Sequence, residues 1–311
     1  MIGFLLRRLL VAIPTLLVIV TVAFFMMRAA PGGPFDTERP MPQEVRERVL
    51  EKFGLNKPLH EQYLDYMAGL LRGDLGPSLK FHDKDVAELI GEGLPVSATI
   101  GLLSILLAVS LGTLLGSIAA LRQNTLSDFS VMTVAMVGIS IPPLVTGPIL
   151  SLVVGLYLGW LPTGGLDPIR GMTPDRLVLP VITLALPQIA VVARLMRASM
   201  IEVIRSNYVR TARAKGLSDP IVILRHVLRA AILPIVSYLG PASAALLSGS
   251  LVIERVFQLP GIGAHFVDAA LQRDYTVVMG VVILYASLII LLNLLADLLY
   301  SLLNPKVSLD A

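Results

Sequence analysis

No cysteine occurs in the 311 residues. That excludes a disulfide framework, a thiolate metal site and a cysteine nucleophile. Histidine is scarce as well: His60, His82, His226 and His265 are scattered, and none has ligand spacing, so no metal site is expected. The phosphate loop Gly-x4-Gly-Lys-Ser/Thr is missing. Gly261-Ile262-Gly263 does not replace it, because no Lys-Ser/Thr pair follows. His-Glu-x-x-His is also missing, and Ser248-Gly249-Ser250 lacks the strand-to-helix setting of a hydrolase nucleophile. Charge is thin: 15% of residues against the roughly 25% of a soluble domain. With 55% hydrophobic residues, the chain is expected to be a polytopic membrane protein, all-α, with no nucleic-acid partner and no cofactor of its own.

What is present is a series of uncharged runs. The first, Leu9 to Met27, follows Arg7 and Arg8 and is long enough to cross a bilayer. It ends in Met26-Met27-Arg28, without the shorter core and small-residue cut site of a signal peptide, and is read as an uncleaved span. Five more follow: Val96 to Leu121, Phe129 to Leu158, Leu177 to Ala193, Ala230 to Ile253 and Tyr275 to Ala296. None of the six holds Asp, Glu, Lys, Arg or His. Ion-driven carriers usually need such groups near the midplane, so energy for uphill transport would have to come from outside the chain. An intramembrane enzyme is disfavoured for the same reason. A channel or carrier working without ATP stays open as an alternative, because pores can be lined by backbone and hydroxyl groups. Pro142-Pro143, Pro148, Pro180, Pro187 and Gly240-Pro241 interrupt the middle spans. Freed backbone groups there must be covered by protein or face a wet cavity.

Residues 29–95 are polar, with twelve acidic and eight basic residues, and are expected outside the bilayer with short helices. Asn56 could cap a helix near Pro58 whose apolar face is Tyr63, Met67 and Leu70-Leu71. The loop 194–230 is the opposite: Arg194, Arg197, Arg205, Arg210, Arg213, Lys215, Arg225 and Arg229 stand against Glu202 and Asp219. Basic loops stay in the cytoplasm, so six spans put both termini there and residues 29–95 outside. The expected segments are 1–28 (first span), 29–95, 96–303 (a five-helix core with the loop) and a cytoplasmic tail, 304–311.

Within that loop, YVRTARAKGLSDPIVILRHVLRAAILP (208–234) reads as a hairpin of two short helices. Tyr208 to Lys215 uses good helix formers, and Gly216 can take the left-handed conformation that ends a helix. Asp219 could cap the second arm, with Pro220 in its first helical position. A 3.6-residue period places Ile221, Leu224, Leu228, Ala231 and Ile235 on one face, and Arg225 and Arg229 on another. A basic loop lying on anionic lipid is the plainer alternative.

This stretch resembles the coupling loop of the membrane subunits of ATP-binding-cassette importers, in its peptide-permease form. Arg210-Thr211-Ala212 occupies the Glu-Ala-Ala place, Gly216 the glycine and Leu233-Pro234 the end. The leading Glu is absent and the spacing to the proline is longer, as in the peptide branch, where T-A-R-A-K-G-L followed by L-R-H is usual. LNKPLHEQYLDYMAGLLRGDLGPSL is similar to the extracytoplasmic segment of the B-type subunit. V-I-E-x-x-F-x-L-P-G-I-G, here Val252 to Gly263, resembles a phrase shared by the branch, and Asn304-Pro305-Lys306 its closing phrase. The resemblance implies a type I (MetI-like) permease fold in a bacterial inner membrane. It implies a non-enzymatic subunit forming half of a peptide path beside a homologous C-type subunit. Two ATPase subunits would bind ATP and Mg, and an extracytoplasmic binding protein would deliver peptide. Arg210, Thr211, Ala212, Ala214, Lys215, Gly216 and Leu217 would couple to the ATPases. Glu254, Phe257, Pro260, Gly261 and Gly263 would form an outer gate segment, or else a plain structural turn. The same branch includes importers of dipeptides, murein peptides and nickel.

Overall fold

The computed structural model describes residues 2–30, 32–35, 42–81 and 84–303. These are helical throughout, apart from connecting turns and two isolated bridges, as the sequence predicts. In order the helices are α1 (Ile2–Ala29), α2 (Gln43–Lys52), α3 (Leu59–Leu71), α4 (Val86–Leu121), α5 (Leu126–Ser140) and α6 (Pro143–Leu150). Then come α7 (Pro174–Ile204), α8 (Asn207–Ala214), α9 (Asp219–Ile221), α10 (Leu228–Ala231), α11 (Leu233–Val256), α12 (Ile262–Gln272) and α13 (Tyr275–Leu303). Ser151–Tyr157 and Val222–Val227 are wound more widely, with bonds closing over five residues. The closing phrase at Asn304, the 304–311 tail and His82 lie outside the described residues.

Among the described residues four helices, α1, α4, α7 and α13, are long and apolar enough to cross a membrane singly. Two bent pairs bring the number to six if each is one span: Leu126–Ser140 with Pro143–Tyr157, bent by 101°, and Asp219–Ala231 with Leu233–Ala244, bent by 43°. The first bend has a local cause. Ile141 is extended (φ −103°, ψ 118°) because the residue before a proline is kept out of the helical region, and Pro143 then opens α6.

The helices overrun the uncharged runs. α4 starts at Val86, ten residues before the predicted span, and α7 continues past Ala193 to Ile204. Hydropathy marks where a helix is apolar, not where its backbone bonds stop. Asn56 does not cap α3: Pro58 precedes the helix and no side chain bonds its free N–H groups.

The chain divides into two units. One comprises Met1–Phe4, Ala98–Leu259 and Ile289–Ala311, with α7 at its centre. Here α4 approaches α7 through small residues: a Cβ on Gly112 would lie 2.6 Å from Cβ of Val192, so only glycine permits this spacing. Ala135 of α5 packs with Ala190 and Ala193 of α7 in the same way. The other unit comprises Leu5–Ser97 and Pro260–Leu288. Its aromatic cluster joins Phe24 of α1 to Tyr63 and Tyr66 of α3, with ring centroids 5.4 and 5.9 Å apart. Met67 and Leu70 pack there as predicted, whereas Leu71 is exposed.

Candidate functional site

The basic stretch does form two helical arms. On α8, Val209 and Ala212 turn inward, while Arg210, Thr211 and Ala214, and Lys215, Gly216 and Leu217 just after it, are exposed. The arm ends in a paired-bond turn: Gly216 N–H donates to Arg213 O (2.9 Å) and Leu217 N–H to Ala212 O (3.4 Å). Gly216 takes φ +81°, the left-handed conformation that this turn needs.

The second arm departs from expectation in two ways. Asp219 is the first helical residue, not the cap, and its carboxylate accepts from Arg213 Nε at 3.2 Å, tying the two arms together. The inward face is Val222, Val227, Ala231 and Ile235, whereas Ile221 and Leu224 are 46% and 66% exposed. The wide winding is the reason: five residues per bonded ring bring 222 and 227 to one side, where a 3.6 period would separate them.

The inward faces of both arms meet α7. Val209, Ala212, Val222, Val227, Ala231 and Ile235 form one core with Met196 and Met200, which lie one helical turn apart on α7. The hairpin is therefore packed onto a long helix. Its outer surface carries Arg210, Lys215, Arg225 and Arg229 beside exposed Tyr208, Leu217, Ile221 and Leu224.

One residue away from Met196 lies a feature that the sequence did not suggest. Arg197 donates to both oxygens of Asp128, Nε to Oδ1 and Nη2 to Oδ2, each at 2.6 Å. Asn124 N–H adds a third bond to Oδ2 at 2.9 Å, and Asp128 is buried in the first turn of α5. In sequence both residues lie in polar links at span ends, where charge is ordinarily solvated.

The Glu254–Gly263 phrase crosses between units at Leu259 and Pro260. In the larger unit Glu254 and Phe257 are wholly buried, and the turn closes by Leu259 N–H donating to Glu254 O at 2.8 Å. Gly165 N–H donates to Phe257 O at 2.7 Å, and Arg176 Nη1 holds Gly164 O at 2.8 Å. In the smaller unit Gly261 and Gly263 are buried at the start of α12, and Ile262 N–H donates to Ser97 Oγ at 2.9 Å. Of the five predicted gate residues, Pro260 alone is exposed.

A second feature missed in sequence is Asp274, fully buried ahead of α13. Its Oδ2 accepts from Ser78 Oγ (2.5 Å), Leu79 N–H (3.1 Å) and Lys80 N–H (3.2 Å). Its Oδ1 accepts from Thr276 Oγ1 (2.9 Å) and Val277 N–H (3.3 Å). One carboxylate thus fastens the 77–81 turn to the start of α13. Among the described residues no group of three His, Asp or Glu is placed to hold a metal ion.

Helices long and apolar enough to cross a membrane, with a basic hairpin packed on α7, fit an integral membrane protein. Residues 112–309 match the family described as binding-protein-dependent transport system inner membrane component. Residues 1–83 match the N-terminal component of such membrane proteins. The chain belongs to this family. It is 48% identical over 307 residues to the oligopeptide transport system permease protein OppB of Escherichia coli (strain K12), covering 99% of both chains. The OppB of Haemophilus influenzae is 47% identical with the same coverage. The dipeptide transport system permease protein DppB of Bacillus subtilis is 39% identical over 95% of this chain and 94% of that one. Among solved structures, an amino acid ABC transporter superposes with a TM-score of 0.48 at 20% identity, over 71% of this chain and 95% of that chain.

Proposed function

We propose that this chain is the B-type membrane subunit of an ATP-driven oligopeptide importer, forming half of the path beside a homologous C-type subunit. The observation that carries this reading is the likeness to OppB over 99% of both chains. Both termini and the 208–234 hairpin face the cytoplasm, on the balance of basic residues. The hairpin docks on one of two ATPase subunits, which hold ATP and Mg. Its exposed Tyr208, Leu217, Ile221 and Leu224 supply apolar contact, and its arginines supply charge. Arg210, Thr211, Ala214 and Lys215 lie on the docking surface, while Ala212 and Gly216 keep its shape. Closure of the ATPases moves the hairpin, and the spans exchange inward- and outward-facing arrangements. Peptide enters from an extracytoplasmic binding protein. Burial of Glu254 and Phe257 favours a structural part for the 254–263 phrase, shaping the outer end of the path. The test is reconstitution with the C-type subunit, the ATPases and the binding protein in liposomes. Tetra- to hexapeptide uptake that needs ATP supports the reading; uptake by this chain alone points to a channel or carrier instead. The DppB match keeps dipeptides as a second reading, decided by whether dipeptides compete with longer peptides for uptake.

A further inference from the structure

α7 has two attachments within one helical turn. Met196 and Met200 enter the hairpin core, with no exposed surface left on either. Arg197, between them in sequence, reaches a different partner, Asp128 of α5. The two residues are 69 positions apart, and Asp128 is 1% exposed with both oxygens engaged. Asp128 is buried and Arg197 partly exposed; replacing such a pair by apolar residues of the same size is often neutral or stabilising, so stability alone gives no reason for it. A two-pronged guanidinium–carboxylate contact resists rotation, which a single bond does not. Farther along α5, the chain breaks at Ile141–Pro142 and turns through 101° into the next helix. A body tied at Asp128 therefore has its natural point of flexure beyond Ser140.

We propose that the Asp128–Arg197 pair is the transmission joint of this subunit: it makes α5 follow α7 when the hairpin is displaced, and the break at Ile141–Pro142 absorbs the motion. Both are positioning residues, and the inference rests on the function proposed above. The pair lies on the α5-facing side of α7, so its loss leaves the hairpin's outer surface unchanged. ATP hydrolysis then proceeds while α5 no longer follows.

The experiment uses the whole reconstituted importer and reads peptide moved per ATP hydrolysed. ATP-driven peptide uptake by the unaltered importer is established first; its failure would count against the proposed function and not against the joint. Asp128→Asn and Arg197→Lys are expected to retain hydrolysis and lower the transport ratio by about tenfold, a typical coupling between sites. A merely structural brace would lower uptake and hydrolysis together and leave the ratio intact. The chain has no cysteine of its own, so Asp128→Cys with Arg197→Cys can be bridged selectively by a short bifunctional thiol reagent. Bridging should restore the ratio, with the reagent-treated unaltered importer as control. An unchanged ratio in Arg197→Lys, whether or not Asp128→Asn assembles, overturns the proposal. So does a bridged pair whose ratio stays low.

Discussion

Replacing Gly216 separates the shape of the hairpin from its chemistry. Nothing lies within 4 Å of where a Cβ would sit, so no side chain added there meets a neighbour. The cost is in the backbone alone: φ is +81°, a region that disfavours L-residues by about 1–2 kcal/mol. Alanine belongs near about 1 kcal/mol, and β-branched valine near about 2 kcal/mol. Asparagine tolerates the conformation and should cost only a few tenths of a kcal/mol, roughly. Open space lets the strained turn relax by giving up the Gly216 and Leu217 N–H bonds, which spoils the shape proposed for docking. Strain of 1–2 kcal/mol changes a population by about 5- to 30-fold. ATP-driven peptide uptake should therefore fall in the order Gly, Asn, Ala, Val, with membrane insertion unchanged in all four. Two results would refute the reasoning. Asparagine as harmful as valine would mean that the site excludes a side chain, not a dihedral angle. Valine equal to glycine would mean that the turn does not matter to coupling.

Leu224→Glu places a charge on the exposed apolar side of the hairpin and should leave thermal stability within ~0.5 kcal/mol. Retention of the ATPase subunits on the purified membrane subunits should drop, and unchanged retention would remove Leu224 from the docking surface. Asp274→Ala strands several buried donors and should lower stability by at least ~2 kcal/mol. Thermal unfolding in detergent reads this, and a loss of only a few tenths would contradict it. Burial holds His265 below its ordinary pKa, with Glu92 and Asp268 partly opposing the shift. The unfolded chain then binds the proton more readily, so this contribution is fully present above about pH 6.5 and lost as pH falls. The melting temperature should decline on acidification below that point, and His265→Gln should decline less. Equal pH dependence in both proteins would rule out the histidine as its source.

The membrane character was legible because bilayer hydrocarbon excludes charge, and Leu9–Met27 or Tyr275–Ala296 can serve few other purposes. The hairpin was legible for a different reason: five basic residues between 208 and 234, with Gly216 where a left-handed residue stops a helix. Helix ends were less so. Glu88 and Glu92 lie on α4, since a helix can extend beyond hydrocarbon without becoming apolar. The Asp128–Arg197 pair was invisible because an ion pair between two helices and two solvated charges have the same letters. Asp274 was hidden likewise, its partners lying almost 200 residues earlier. On the second arm Leu228, Ala231 and Ile235 pack as predicted, but Ile221 and Leu224 were misplaced because a regular period was assumed where the backbone winds more widely.

That wide stretch, Val222–Val227, amounts to one surplus residue carried in a short rod. Removing a single amino acid there would let the coil tighten to ordinary winding, and five such steps turn about as far as six wider ones. Val227, Ala231 and Ile235 would keep their seat against the methionines of α7. The same deletion in the regularly wound turns beyond it, where no slack exists, would rotate everything after it by roughly 100°. The second arm thus tolerates a change of length in one place and not in its neighbours.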